Sequence, residues 1–222
     1  MQHTVNLLPG IRMILHPKKA GFIPETGTLI TSDIHVGKSR HFVQSGLPLP
    51  AETSTINYKN IAELFSAFRP AHWIVLGDLV HSSENTEWAE FQQFLNTLPP
   101  IPKTLVVGNH DRFLEQKSMP FGFSCTHEFT QGNLIFMHES HESVPNGFFC
   151  VSGHVHPAIL LSGKARQRLR TPCFWLSESG LVMPAFGSFT GSHTIQPKKS
   201  DRVFGCVENE VIELTHGPGL RI

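Results

Sequence analysis

Apolar positions along this 222-residue chain follow two periodicities. Short continuous apolar runs at Thr28–Thr31, Trp73–Leu76, Leu105–Val107 and Leu134–Met137 read as buried strands, because a strand covered on both faces loses its polar alternation. Between them, Glu52–Phe68 places Ile56, Ile61, Leu64, Phe65 and Phe68 on one broad helical face. Glu84–Leu98 repeats the pattern with Trp88, Phe91, Phe94, Leu95 and Leu98, and stops at Pro99-Pro100. These aromatic stripes are core positions. A further helix is predicted to start near Gly37. Thr4–Leu15 reads as an opening strand segment, separated from Thr28–Thr31 by a Pro/Gly-rich connection. After His156 the texture turns to β. Phe174–Leu176 and Leu181–Met183 flank Glu178-Ser179-Gly180, Val203–Val207 and Val211–Leu214 flank Glu208-Asn209-Glu210, and both pairs predict hairpins. No repeat, low-complexity tract or linker divides the chain, so residues 1–222 are expected to form one α/β domain.

The polar residues that interrupt this pattern are concentrated in five blocks: Asp33-Ile34-His35, Gly77-Asp78, Gly108-Asn109-His110-Asp111, His138, and Gly153-His154-Val155-His156. Most of them directly follow an apolar run. Loops at the carboxyl ends of strands in an open α/β sheet converge on one crevice, so donors far apart in sequence are expected to meet. Asp can bridge two cations, Asn and His fill coordination shells without adding charge, and no thiol is present. This is the donor set of a two-metal hydrolytic centre for phosphate esters, where one cation holds the attacking oxygen and the other stabilises the leaving side. A neutral Asn beside a bridging carboxylate preserves the Lewis acidity that phosphate requires. Mixed nitrogen and oxygen donors without sulfur suit Mn²⁺, Fe or Zn²⁺ better than Ca²⁺. Asp111 either stiffens its turn or orients His110.

The five blocks resemble the calcineurin-like metallophosphoesterase superfamily, whose pattern is D-x-H, G-D-x-x-H, G-N-H-D, H and G-H-x-H. The second element is complete here as Gly77-Asp78-Leu79-Val80-His81. The resemblance implies a four-layer α/β/β/α sandwich. It also implies one metal on Asp33, His35 and His156, a second on Asn109, His138 and His154, and Asp78 bridging the two, with Mn²⁺ favoured. His110, beside a ligand but not one itself, would stabilise developing charge or protonate the leaving group; the structural alternative is an imidazole in a tight turn. His81 would support a ligand, against a purely hydrogen-bonded loop role.

A closer resemblance covers nearly the whole chain. It rests on Asp33-Ile34-His35-Val36-Gly37-Lys38 followed by Phe42, Gly46, Pro48 and Pro50, and on His138-Glu139 and Gly153-His154-Val155-His156-Pro157. Arg170-Thr171-Pro172-Cys173-Phe174 and Leu181-Val182-Met183-Pro184-Ala185-Phe186-Gly187 with Thr190-Gly191 complete it. These features resemble the ligase-associated DNA damage response endonucleases, the PdeM type. That resemblance implies a nuclease of DNA repair, associated with an ATP-dependent DNA ligase, a helicase and an exonuclease. Ser140 stands where proline is usual and Ser192-His193 where another glycine is usual, departures that bear on loop geometry and touch no predicted ligand.

Two other motifs fail. Gly37-Lys38-Ser39 lacks the earlier glycine of a phosphate-binding loop, because Ser32 occupies that place. In His138-Glu139-Ser140-His141-Glu142 the second histidine arrives one residue early for a zinc-protease helix, and Pro145-Asn146-Gly147 favours a loop. Eighteen basic and eighteen acidic residues balance, so any nucleic-acid affinity must be local. Fourteen histidines stand against one tyrosine, and the blocks absorb His35, His110, His138, His154 and His156, with His81 a sixth. His41, His72, His127, His141, His193 and His216 fall outside them and are read as surface or structural. Cys125, Cys150, Cys173 and Cys206 form no C-x-x-C pair and fit reduced, mostly buried thiols. With no signal-peptide pattern and no membrane-length run, a cytoplasmic location is expected.

Substrate contacts are less sharply marked. Lys164, Arg166, Arg168 and Arg170 recur at period two, so on a strand they share one face and could track a phosphate backbone, although a solvated edge strand has the same pattern. Lys38 and Arg40, close to the first block, are alternative phosphate contacts. Three functions follow: a metal-dependent nuclease or phosphodiesterase on DNA, a phosphatase or phosphodiesterase for a small metabolite or nucleotide, and a non-catalytic scaffold. An open basic cleft would favour the first and a capped pocket the second; the retained donor set opposes the third.

Overall fold

The computed structural model describes residues 1–38, 53–81, 86–114, 120–140, 144–162 and 168–214. The expected helix start near Gly37, Arg40, and Lys164 and Arg166 of the basic row lie outside these residues or run out of them.

The first sheet opens with β1 (His3–Leu8), β2 (Ile11–His16) and β3 (Ala20–Ile23), which pair antiparallel in sequence order. The segment Thr4–Leu15 is therefore a hairpin, because Gly10 turns the chain at φ 78°. The predicted connection after it also contains β3, four buried residues too few to show a periodicity. Next comes β4 (Thr28–Thr31), with the predicted bounds, antiparallel to β3 and parallel to β5 (His72–Leu76). α1 (Thr53–Phe68) precedes β5, and α2 (Thr86–Leu95) leads to β6 (Lys103–Val106) and β7 (Ser124–Thr126), both parallel additions.

The second sheet contains β8 (Glu128–Gln131), β9 (Leu134–Met137), β10 (Phe149–Ser152), β11 (Pro157–Ser162), β12 (Arg168–Leu176), β13 (Gly180–Val182) and β14 (His193–Thr194). Its order is β14-β11-β12-β13-β10-β9-β8, with β15 (Arg202–Val207) pairing β12 and β16 (Glu210–Leu214) pairing β15. Within it β9, β10 and β13 are parallel. The β12–β13 and β15–β16 antiparallel pairs are the two predicted hairpins.

Alternation along the central strands separates two cores. Ile30, Ile74, Leu76 and Val106 face the second sheet and meet Phe136, Val151, Phe174, Leu181 and Phe204. Leu29, Trp73, Val75 and Leu105 point the other way, onto Ile61, Leu64 and Phe65 of α1 and Trp88, Phe91 and Leu95 of α2. Two mixed sheets packed face to face with helices on the first give the expected α/β architecture. Smaller clusters, including Ile159, Cys173, Ile195 and Val203, cover the outer side of the second sheet. Among the described residues no helix is long and apolar enough to cross a membrane.

Candidate metal centre

Each polar block begins within two residues of a strand's carboxyl end: Asp33 after β4, Gly77 after β5, Gly108 after β6, His138 after β9 and Gly153 after β10. All five strands are parallel members of their sheets, so the loops meet on one edge of the sandwich. Backbone hydrogen bonds then join the loops. Asp33 N–H donates to Gly77 O (3.0 Å), His35 N–H to Asp78 O (2.9 Å) and Gly153 N–H to His138 O (2.9 Å). The Pro184–Gly187 segment seats beneath the first block, with Phe186 N–H on Ser32 O (2.7 Å) and Gly187 N–H on Asp33 O (3.1 Å).

Asp33, His35, Asp78, His154 and His156 all have φ between 49° and 64°, in the left-handed region. Asp and His tolerate it better than most residues, yet each such position costs energy that the surrounding structure must offset. The conformation turns successive side chains inward from a short loop. Close packing explains two of the motif glycines. A Cβ on Gly77 would lie 2.1 Å from His138 Nδ1, and one on Gly153 would lie 1.8 Å from Ser32 Oγ.

Three donor groups result among the described residues: His35, His81 and His110 form one, and Asp33 belongs to the other two. Asp33, His35 and His156 place one potential ligand atom each within 4.8 Å of one another, as do Asp33, Asp78 and His138. His156 Nε2 lies 3.0 Å from Asp33 Oδ1. Asp33 Oδ1, His35 Nε2 and His156 Nε2 are nevertheless buried without a hydrogen-bond partner. Buried polar atoms are normally paired, and three unpaired donors converging on one point fit a divalent cation. The imidazoles are oriented for it. His156 Nδ1 bonds to Gly191 O (3.0 Å) and His138 Nδ1 to Leu76 O (2.9 Å); a carbonyl only accepts, so the proton sits on Nδ1 and leaves Nε2 as the lone-pair donor. Burial, then the charge of Lys38 and the neighbouring imidazoles, pushes His35 down to about 2, which keeps it neutral and able to ligate.

Asp78 stands between the two sides: Oδ2 lies 3.6 Å from His35 Nε2 and Oδ1 3.6 Å from His138 Nε2. His154 is half-buried, with Nδ1 3.1 Å from His138 Nε2 and its backbone N–H on Asp33 Oδ2 (3.2 Å). Asn109 is exposed and shares a groove with His138. His110, also exposed, donates its backbone N–H to Asp78 Oδ1 (2.9 Å), and its Nδ1 is 3.0 Å from His81 O. The His81 ring stacks on His110 at 5.1 Å, and its Nδ1 is 3.4 Å from His35 Nδ1. Asp111 is fully buried and acts as a clamp between loops: Oδ2 accepts from Leu79 N–H (3.2 Å) and Gly108 N–H (3.1 Å), and Oδ1 from Val80 N–H (3.2 Å). Burial pushes its carboxyl up to about 6 against the pull of these amides.

Of the proposed substrate contacts, half-buried Lys38 is close enough for Asp78 and Asp33 to oppose the lowering that burial imposes on its ammonium. Arg168 and Arg170 are exposed on β12, and Arg170 is hydrogen-bonded to Ser192 O (3.3 Å) and Thr194 Oγ1 (3.0 Å), tying down the segment before β14. Sequence reading passed over Ser32, a fully buried hydroxyl that donates to Asp33 Oδ2. It also passed over Lys19, whose Nζ donates to Gly187 O (3.2 Å) under the same loop; burial lowers this ammonium to about 8. A polar residue ending an apolar run, as Ser32 does, was the available clue.

Residues 27–178 match the sequence profile described as calcineurin-like phosphoesterase. No curated protein sequence matches the chain. Among solved structures, the crystal structure of the Pseudomonas putida nuclease MPE is similar, with a TM-score of 0.78 and 23% identity over 96% of this chain and 100% of that one. The E. coli phosphoesterase Yfce has a TM-score of 0.43 and 13% identity over 86% of this chain and 99% of that one. The first likeness shows a shared fold.

Proposed function

The chain belongs to the calcineurin-like phosphoesterase family and is a metal-dependent phosphoesterase, and we propose that it cleaves DNA phosphodiesters at a binuclear centre. The observation that carries the binuclear reading is the position of Asp78, whose two oxygens each face a different imidazole at 3.6 Å. Asp33, His35 and His156 would hold one cation and Asn109, His138 and His154 the other, with Asp78 available to both. The donor chemistry favours Mn²⁺, with Fe or Zn²⁺ as alternatives. When bound, the two cations supply activation of water and neutralisation of phosphate charge.

The chain's own residues do the rest. Hydrogen bonding of Nδ1 to the His81 carbonyl fixes one proton of His110, so its protonated ring presents Nε2–H to the leaving oxygen and returns to neutral on donating it. His81 holds the far side of His35 and stacks on His110, coupling the ligand loop to the proton donor. Lys38 adds positive charge on the His35 side. The DNA reading is supported by the likeness to a protein named a nuclease and by the endonuclease-like motifs, whose Pro184–Gly187 stretch seats the Asp33 loop. A cytoplasmic repair setting beside a DNA ligase, a helicase and an exonuclease is part of the same proposal and rests on those motifs.

Cleavage of supercoiled plasmid, bis-p-nitrophenyl phosphate and a nucleotide panel with each divalent metal tests this. The plasmid is expected to be nicked and the nucleotides to be poor substrates; preferential turnover of one nucleotide would move the protein to the small-metabolite class. Asp78→Ala is expected to lose both metals and essentially all activity. His110→Ala should keep both metals and lose about 10²–10⁴-fold in kcat. A metal-depleted His110→Ala, or a fully loaded Asp78→Ala, would overturn the residue roles.

A further inference from the structure

On the side of Asn109 and His138 the candidate centre continues into an open groove of about 550 Å³, lined also by Arg112, His127, Glu128 and Glu139. Sites that enclose small organic ligands run to about 300–1,000 Å³, so the groove has room for more than a phosphate group. Its charged side chains are not equivalent. Glu139 Oε1 lies 3.8 Å from His154 Nε2, and Glu128 Oε1 accepts from Thr130 Oγ1 at 3.4 Å. Exposed Arg112 has no carboxylate partner among the described residues. Its backbone is well placed all the same: it opens the short 3-10 turn Arg112–Leu114, held by Leu114 N–H on Asp111 O (2.7 Å) and by the buried Asp111 clamp. A fixed backbone thus carries an unengaged guanidinium three residues after a candidate metal ligand.

We propose that this groove holds the sugar–phosphate strand adjoining the scissile diester, with Arg112 contacting the neighbouring phosphate. The proposal rests on the DNA reading above and extends it to one flank of the substrate. A guanidinium fork matches two phosphate oxygens and stays charged at any working pH. The two carboxylates in the same groove repel a second phosphate, so one phosphate contact is expected there. Exposed His127 also lines the groove.

The test measures kcat/KM for a single-stranded oligonucleotide across a salt series with the metal-loaded protein, beside kcat/KM for bis-p-nitrophenyl phosphate. Arg112→Gln should lose about three- to ten-fold more on the oligonucleotide than on the small diester, and should flatten the log–log salt slope by about 0.7, the value for one phosphate on a single strand. Arg112→Lys should retain the slope, because it keeps the charge. Equal losses on the two substrates with an unchanged slope would remove Arg112 and the groove from strand binding while leaving the nuclease reading intact. A wild-type protein that turns over the small diester but ignores the oligonucleotide would instead bring down the DNA reading, and the groove's role with it.

Discussion

At the scale of single residues, the centre depends on groups that never touch a cation. Asp33 can offer Oδ1 only if Oδ2 is held elsewhere, and Oδ2 is held by the Ser32 hydroxyl and the His154 amide. Ser32 Oγ is also 3.1 Å from Leu76 O, which locates it at the end of β5. Supports of this kind are worth about 10–100-fold in metal affinity. Ser32→Ala is therefore expected to weaken metal binding by about that factor in chelator competition, with little change in the far-ultraviolet spectrum of the metal-free protein. Unaltered metal affinity would show that the amide alone orients Asp33. The candidate ligands were legible in the sequence because Asp, Asn and His punctuate apolar runs in a recognisable order. Ser32 was not, since Leu76, whose carbonyl it meets, and the Gly153 turn packed beside it are brought there only by the pairing of β4 with β5 and the packing of the second sheet.

At the scale of elements, period and continuity decided what could be read. β4 and the helix faces followed from continuous or 3.6-residue patterns, whereas β3, equal in length to β4, is interrupted by Gly21 and flanked by Lys18-Lys19 and Pro24. Ile56 illustrates how a face can be drawn too wide. It lies five residues before Ile61, about 140° round the helix from it at 100° per residue, and it is 46% exposed while Ile61, Leu64 and Phe65 are buried. The turn after β10 packs tightly against the first sheet. A methyl group at Gly153 would meet Ser32 Oγ at 1.8 Å, Asp33 Oδ2 at 2.8 Å and Leu76 O at 2.9 Å. Two of these three atoms belong to backbone or to a held carboxylate, so relief requires the sheets to part. Gly153→Ala is expected to cost about 1–3 kcal/mol in urea denaturation, as overpacking does, and to lower metal affinity at the same time. A variant as stable as wild type would mean that the β10 loop shifts freely.

At the scale of the whole molecule, the two sheets share one continuous core, from Val5 and Met13 to Phe204 and Val211, so stability lost at any layer should be felt by the entire fold. The contact between the β2–β3 turn and α1 provides a way to read this through pH. Lys18 Nζ donates to Asn60 Oδ1 (2.8 Å) and pairs with Glu63, while His16 accepts the Lys18 amide on Nδ1 (3.2 Å) and meets the Phe68 ring edge-on. Burial, and then the Lys18 charge, pushes His16 down to about 4 from 6.5. Between those values the unfolded chain binds a proton that the folded chain refuses. Stability therefore rises with pH from about 4 to 6.5, is complete above 6.5, and is lost as pH falls through the folded value. The full shift would correspond to about 3 kcal/mol, but the ring is only half-buried, and solvent screening reduces this to roughly 1 kcal/mol. His16→Asn keeps an acceptor for the Lys18 amide and cannot titrate. Urea midpoints of the two metal-free proteins should lie close together at pH 7 and separate towards pH 4, the wild type having the steeper acid limb. Parallel limbs would place the acid sensitivity elsewhere, with the buried histidines of the metal centre the next residues to substitute.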